Sequence, residues 1–74
     1  MSNSTDGNKP KVLLKLEDVE QMTSLSGSNI YNKMSIKSRY YDPTFPRQVR
    51  LGPRSVAWEK SEVEDWIDSR MKMR

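Results

Sequence analysis

Residues 16–35 read LEDVEQMTSLSGSNIYNKMS, two short amphipathic stretches separated by a polar break. The first predicts a helix over 16–23. Val19 and Met22 stand three apart on one face, and Glu17, Asp18 and Glu20 place carboxylates where the positive end of the helix dipole favours them. Ser24, Leu25, Ser26 and Gly27 form a break of the length that joins the two helices of a helix-turn-helix, with Leu25 as the apolar plug of the corner and Gly27 free to tolerate a turn or helix start. A second helix is predicted over 26–35, because the Ser26 hydroxyl can cap free N–H groups and Ile30 and Met34 recur at four-residue spacing. With Ile30 inward and about 100° per residue, Ser28, Asn32 and Ser35 point furthest from the core and Asn29, Tyr31 and Lys33 lie on the flanks. The outward face is polar, small and rich in hydrogen-bonding groups.

Working toward the C-terminus, residues 36–44 hold Lys37, Arg39, Tyr40, Tyr41 and the turn-forming pair Asp42-Pro43, so they read as a loop that Pro46 closes. Residues 48–51 alternate polar and apolar, Gly52-Pro53-Arg54 supplies a turn, and Val56 and Trp58 stand at alternate positions, as a half-buried hairpin requires. This hairpin is the predicted wing. A third helix is expected to open at Ser61, with Glu64 completing a capping box, and to bury Val63, Trp66, Ile67 and Met71 against the hairpin and the second helix. Toward the N-terminus, Val12, Leu13, Leu14 and Leu16 form an apolar run too short for a helix, suited to an opening strand or an extended anchor. Residues 1–10 are polar and end at Pro10, the composition of a disordered tail. The reading is an α+β fold, mainly α: a small winged helix-turn-helix over residues 11–74, with three helices and a two-stranded β-hairpin wing.

Composition narrows the function. Seventy-four residues give one domain with one small core. The absence of cysteine and histidine removes disulfides, thiolate sites, imidazole catalysis and the usual zinc sites. No Gly-rich phosphate loop or nucleophile with a partner base appears, and Glu62, Glu64, Asp65 and Asp68 spread over the exposed and capping positions of the third helix. The expectation is a non-enzyme with no cofactor, no metal and no small-molecule substrate. The N-terminus lacks the basic start and apolar stretch of a secretory signal, and no apolar run approaches membrane-spanning length, so a soluble cytoplasmic protein without a membrane partner is expected.

The net charge of +3 is unevenly placed. Residues 11–22 and 59–74 each sum to −1, whereas residues 23–58 carry Lys33, Lys37, Arg39, Arg47, Arg50 and Arg54 against Asp42 alone, a net of +5. Solvation alone does not explain such segregation, and a polyanionic partner would. The candidate DNA-contacting residues are therefore Ser26, Ser28, Asn29, Tyr31 and Asn32, whose amides and hydroxyls suit base edges and phosphates, with Lys33, Lys37, Arg39, Arg50 and Arg54 to neutralise the backbone. Arg54 follows Gly52 and Pro53, where little bulk would keep a guanidinium from the backbone or the minor groove. Phe45, Trp58 and Trp66 are expected to face inward. Tyr40 and Tyr41, being adjacent, are expected to divide, one packing and one offering its hydroxyl to a phosphate.

The helix-turn-helix stretch Leu16 to Met34, with Thr23-Ser24-Leu25-Ser26 and Ser28-Asn29-Ile30-Tyr31, resembles that of AlpA-type prophage regulatory proteins, of the excisionase-like and MerR-like winged-helix group. Phe45-Pro46, Val49, Leu51-Gly52, Arg54-Ser55-Val56-Ala57-Trp58 and Ser61-Glu62-Val63-Glu64-Asp65-Trp66-Ile67 are similar to the family's wing and final helix. The resemblance covers Val12 to Arg70 and implies a DNA-binding transcriptional activator or excision factor of a prophage or integrative element, with double-stranded DNA as its partner. A module this small is expected to self-associate cooperatively on neighbouring sites, and a recombinase is the other expected partner. Gly27 and Asn32 stand where such proteins usually carry arginine, and 36–44 is longer than their usual connection, which gives Lys37 and Arg39 a compensating role. The alternative is a protein-interaction module or inhibitor that occupies a recombinase or response regulator.

Overall fold

In the computed structural model, which describes residues 10–74, a left-handed residue separates the two predicted helices. The elements run β1 (Leu13–Leu14), α1 (Leu16–Thr23), α2 (Gly27–Met34), β2 (Val49–Gly52), β3 (Ser55–Glu59) and α3 (Lys60–Lys72). All but Pro10 of the expected N-terminal tail lies outside the described residues. α1 starts where the Asp18 carboxylate accepts the Lys15 amide at 3.2 Å. It stops at Ser24, whose φ of 63° turns the chain out of the helix while its N–H donates to the Glu20 carbonyl at 2.8 Å. The Thr23 hydroxyl stitches the corner, donating to the Val19 carbonyl at 2.7 Å and accepting the Leu25 amide at 3.2 Å. Leu25 packs partly buried against the core, as the corner plug should.

α2 opens on Ser26, whose Oγ accepts the Asn29 amide at 3.2 Å. Gly27 serves close approach: a Cβ there would sit 3.2 Å from Glu20 Oε2 and 3.3 Å from Leu16 Cδ2, so α1 lies directly over the first residue of α2.

The sheet corrects the expected two-stranded hairpin. It has three antiparallel strands in the order β1-β3-β2, with Leu13 opposite Glu59 and Leu14 opposite Trp58. The Lys60 amide adds a bond to the Val12 carbonyl at 2.8 Å. Burying Leu14 removes its backbone from water, and pairing with β3 supplies the hydrogen bonds that water gave up. Of the two readings of the apolar run at 12–16, the opening strand is the one observed. On the other side β2 pairs with β3, Val49 with Ala57 and Arg50 with Val56, before the register shifts by a bulge ahead of Gly52.

The start of α3 is also corrected. Glu59, the last residue of β3, is the N-cap: its carboxylate accepts the Ser61 amide at 3.1 Å and the Ser61 hydroxyl, so Ser61 lies inside the helix. The strand runs into the helix without a loop, and the cap has to come from the strand's own end. These bonds from Ser61 hold the Glu59 carboxyl below its ordinary value. Val63 and Trp66 are buried and Ile67 packs against them, but Met71 is 52% exposed, because the last turn of α3 runs past the core.

Four fully buried side chains come one from each of four elements: Val19 from α1, Ile30 from α2, Trp58 from β3 and Val63 from α3. Burying each contributes about 1.5–3 kcal/mol, so no element can leave without exposing a central contact. Leu14, Phe45 and Trp66 complete the cluster, Phe45 meeting Trp66 edge-on at 4.9 Å between ring centroids. The inward placement of Phe45, Trp58 and Trp66 is as expected. Tyr40 and Tyr41 do not divide, since both remain exposed; Phe45 takes the inward position that the loop offers.

Candidate nucleic-acid interface

The polar face of α2 reaches solvent at Ser26, Ser28, Asn29 and Tyr31, while Asn32 and Lys33 are half-buried. Ser26 is occupied as the helix cap. Lys33 leans toward α3, its ammonium 5.7 Å from the centroid of the Trp66 ring. Tyr31 stands edge-on to the buried Trp58 at 6.2 Å and is 44% exposed.

Sheet register relates the β2–β3 hairpin to this face. Val56 and Trp58 alternate along β3 and so share one face, and Arg50 stands opposite Val56. Tyr31 packs against Trp58, so the pleat sets Arg50 and Tyr31 on the same side of the sheet. Arg54 is exposed in the turn between β2 and β3.

Between α2 and β2 the loop is built from its own backbone. Ser38 donates to the Ser35 carbonyl at 3.0 Å, Tyr41 donates to the Ser38 carbonyl at 3.1 Å, and the Tyr40 amide reaches Ser38 Oγ at 3.0 Å, giving two consecutive turns. Ile36, Lys37, Arg39 and Tyr40 project from them into solvent, Ile36 at 80% exposure. The Arg39 guanidinium lies 5.7 Å from the Tyr40 ring centroid. An open cleft of ≈ 540 Å³ runs beneath, where Tyr31 and Met34 of α2 meet Tyr41, Phe45 and Arg47.

Asp42 is the residue that sequence reasoning passed over. It was legible only as half of an Asp-Pro turn. Its Oδ1 accepts the Thr44 amide at 2.8 Å and the Thr44 hydroxyl; its Oδ2 accepts Trp66 Nε1 and Arg70 Nη2, each at 3.1 Å. Burial by itself pushes this carboxyl up, but the Thr44, Trp66 and Arg70 donors together outweigh that and hold it below its ordinary value. The Thr44 turn is a local signature of Asp; partners 24 and 28 residues downstream are not.

The electrostatic consequence is an unbalanced surface. Asp42, the one acid of residues 23–58, is ion-paired with Arg70 of α3. Among the described residues this is the one ion pair, so Lys33, Lys37, Arg39, Arg47, Arg50 and Arg54 have no carboxylate partner. Also among the described residues, no group of three or more Asp or Glu side chains could hold a metal ion, and no helix is long and apolar enough to cross a membrane.

Residues 12–71 match the family model described as prophage CP4-57 regulatory protein (AlpA). The chain is 38% identical over 61 residues to the DNA-binding transcriptional activator AlpA of Escherichia coli K12, an alignment covering 82% of this chain and 87% of that protein. No solved structure matches the chain. With the match running from β1 nearly to the end of α3, the chain belongs to the AlpA family of prophage regulatory proteins.

Proposed function

We propose that this protein is a sequence-specific DNA-binding transcriptional regulator of a prophage or integrative element, and that residues 11–74 work as a winged helix-turn-helix in the cytoplasm. The observation that carries the reading is the charge imbalance: six cations of residues 23–58 face a single local acid, Asp42, and that acid is engaged by Arg70, so among the described residues none of the six has a carboxylate partner. Counterion release from DNA gives such a surface its affinity. α2 enters the major groove, Ser28, Asn29, Tyr31 and Asn32 supply hydrogen bonds to base edges and phosphates, and Ser26 holds the helix N-terminus in shape. Lys37 and Arg39 in the loop and Arg50 and Arg54 in the wing contact phosphates, with Arg54 reaching the adjacent backbone or minor groove. A relative named as a DNA-binding transcriptional activator supports the same reading. Bending of the bound DNA would extend the role to an architectural excision factor without recombinase chemistry.

The test is a salt-titrated binding assay on duplexes from the element's own promoter and attachment site. Each lost phosphate contact lowers the slope of log affinity against log salt by about 0.9. Lys37→Ala with Arg39→Ala is expected to lower it by about 1.8, and Arg54→Ala by about 0.9. Unchanged slopes would remove those residues from the interface. A second reading, a protein-interaction module that occupies a recombinase or response regulator, draws on the exposed apolar and aromatic groups Ile36, Tyr40 and Tyr41. It requires that the promoter duplex bind no better than random duplex.

A further inference from the structure

We infer that Asp42 is a positioning residue for DNA binding: its carboxylate locks the base of the loop 35–41 onto α3, and so presents Lys37 and Arg39 to phosphates in a preformed arrangement. The inference rests on the DNA-binding reading and adds to it a residue that is itself acidic and touches no DNA.

Nothing in the core holds the tip of this loop, because Ile36, Lys37, Arg39 and Tyr40 are all exposed. Its shape depends on the two backbone turns and on the base. At the base, the Asp42 amide donates to the Lys33 carbonyl at 2.8 Å and closes the loop on the last turn of α2. The Asp42 side chain then fastens that closure to α3 through Trp66 Nε1 and Arg70 Nη2, and its bonds to Thr44 shape the next turn, which delivers Phe45 into the core. Asp42 thus joins α2, the loop and α3 at one point, its backbone amide bonding α2 and its carboxylate bonding α3. Trp66 belongs to α3 and is buried in the core cluster, with Arg70 5.2 Å from its ring centroid, so the anchor is part of the packed core rather than of the exposed loop tip. A loop ordered before binding spares the complex the entropy of ordering it, and two long cations on a fixed backbone reach phosphates at a set spacing.

Charge counting and positioning predict opposite signs. Removing an acid from a protein of net charge +3 should strengthen binding to a polyanion if charge alone counts. If Asp42 positions the loop, its removal weakens binding.

The experiment measures the affinity of the full chain for a mixed-sequence duplex across a salt series, for wild type, Asp42→Ala, Lys37→Ala/Arg39→Ala, and the triple variant. Asp42→Ala is expected to weaken binding several-fold at low salt and to make the slope shallower by up to about 1.8, the value of two phosphate contacts. The triple variant is expected to match the Lys37→Ala/Arg39→Ala protein, because Asp42 acts only through those cations. Should Asp42→Ala fail to fold by circular dichroism, Asp42→Asn decides: it keeps an oxygen toward Thr44 and turns an NH2 group toward the Trp66 and Arg70 donors. Tighter binding or an unchanged slope in the folded Asp42 variant, or a further loss in the triple variant, overturns the inference and leaves the DNA-binding reading intact. If wild type binds no duplex at any salt, both fall.

Discussion

Asp42 carries a stability effect whose sign follows from its surroundings. Its carboxyl lies below the ordinary 3.8 in the folded chain, since the donors from Thr44, Trp66 and Arg70 prefer the ionised form more strongly than burial opposes it. Folding therefore gains stability from Asp42 above pH 3.8, and loses it as pH falls from there through the depressed value. Glu59 shifts in the same direction through its bonds to Ser61, so the measurement has to be a difference. Thermal midpoints of wild type and Asp42→Asn are expected to differ most at neutral pH and to converge in acid; parallel curves would show that the carboxylate charge does not stabilise the fold.

At the scale of elements, the orientation of α2 depends on its first residues. Ser26 accepts the Asn29 amide at an exposed N-terminus, and Gly27 lets α1 lie against it. Ser26→Ala is expected to cost about 1 kcal/mol, the usual value of a lost N-cap. Denaturant unfolding followed by circular dichroism measures it, and a cost near zero would mean that packing of Ile30 alone sets the helix start. Both helices and their break were legible because each carries its own signals: a polar cap, apolar residues three or four apart, and a corner leucine. The beginning of α3 differs from the expected one for a matching reason. Ser61 and Glu64 have the spacing of a capping box, but Glu59 at the end of β3 already supplies the acceptor, and sequence spacing cannot say which candidate wins.

For the whole molecule, size limits what one copy can do. A single module of this kind covers roughly 600–1,000 Å² of its own surface on DNA, at the low end for tight specific binding. We expect cooperative occupancy of neighbouring sites. A footprint titration over the promoter should show protection extending across adjacent sites over a narrow concentration range, whereas independent filling of a single short site would show that one copy suffices.

The helices, the hairpin, the inward aromatics and the basic character of residues 23–58 follow from the chain alone, because periodicity, turn chemistry and charge are properties of neighbours along it. The remaining features depend on packing between distant segments. Leu13–Leu14 becomes a strand only because β3 offers it an edge, Lys33 turns to Trp66 because α3 brings a ring within reach, and Met71 is left exposed because the core ends before it. Above all, Asp42 read as a turn residue and proved to be the partner of Trp66 and Arg70. That pairing arises from the approach of two segments distant in the chain, and no local pattern encodes which carboxylate will meet which donor once the core has closed.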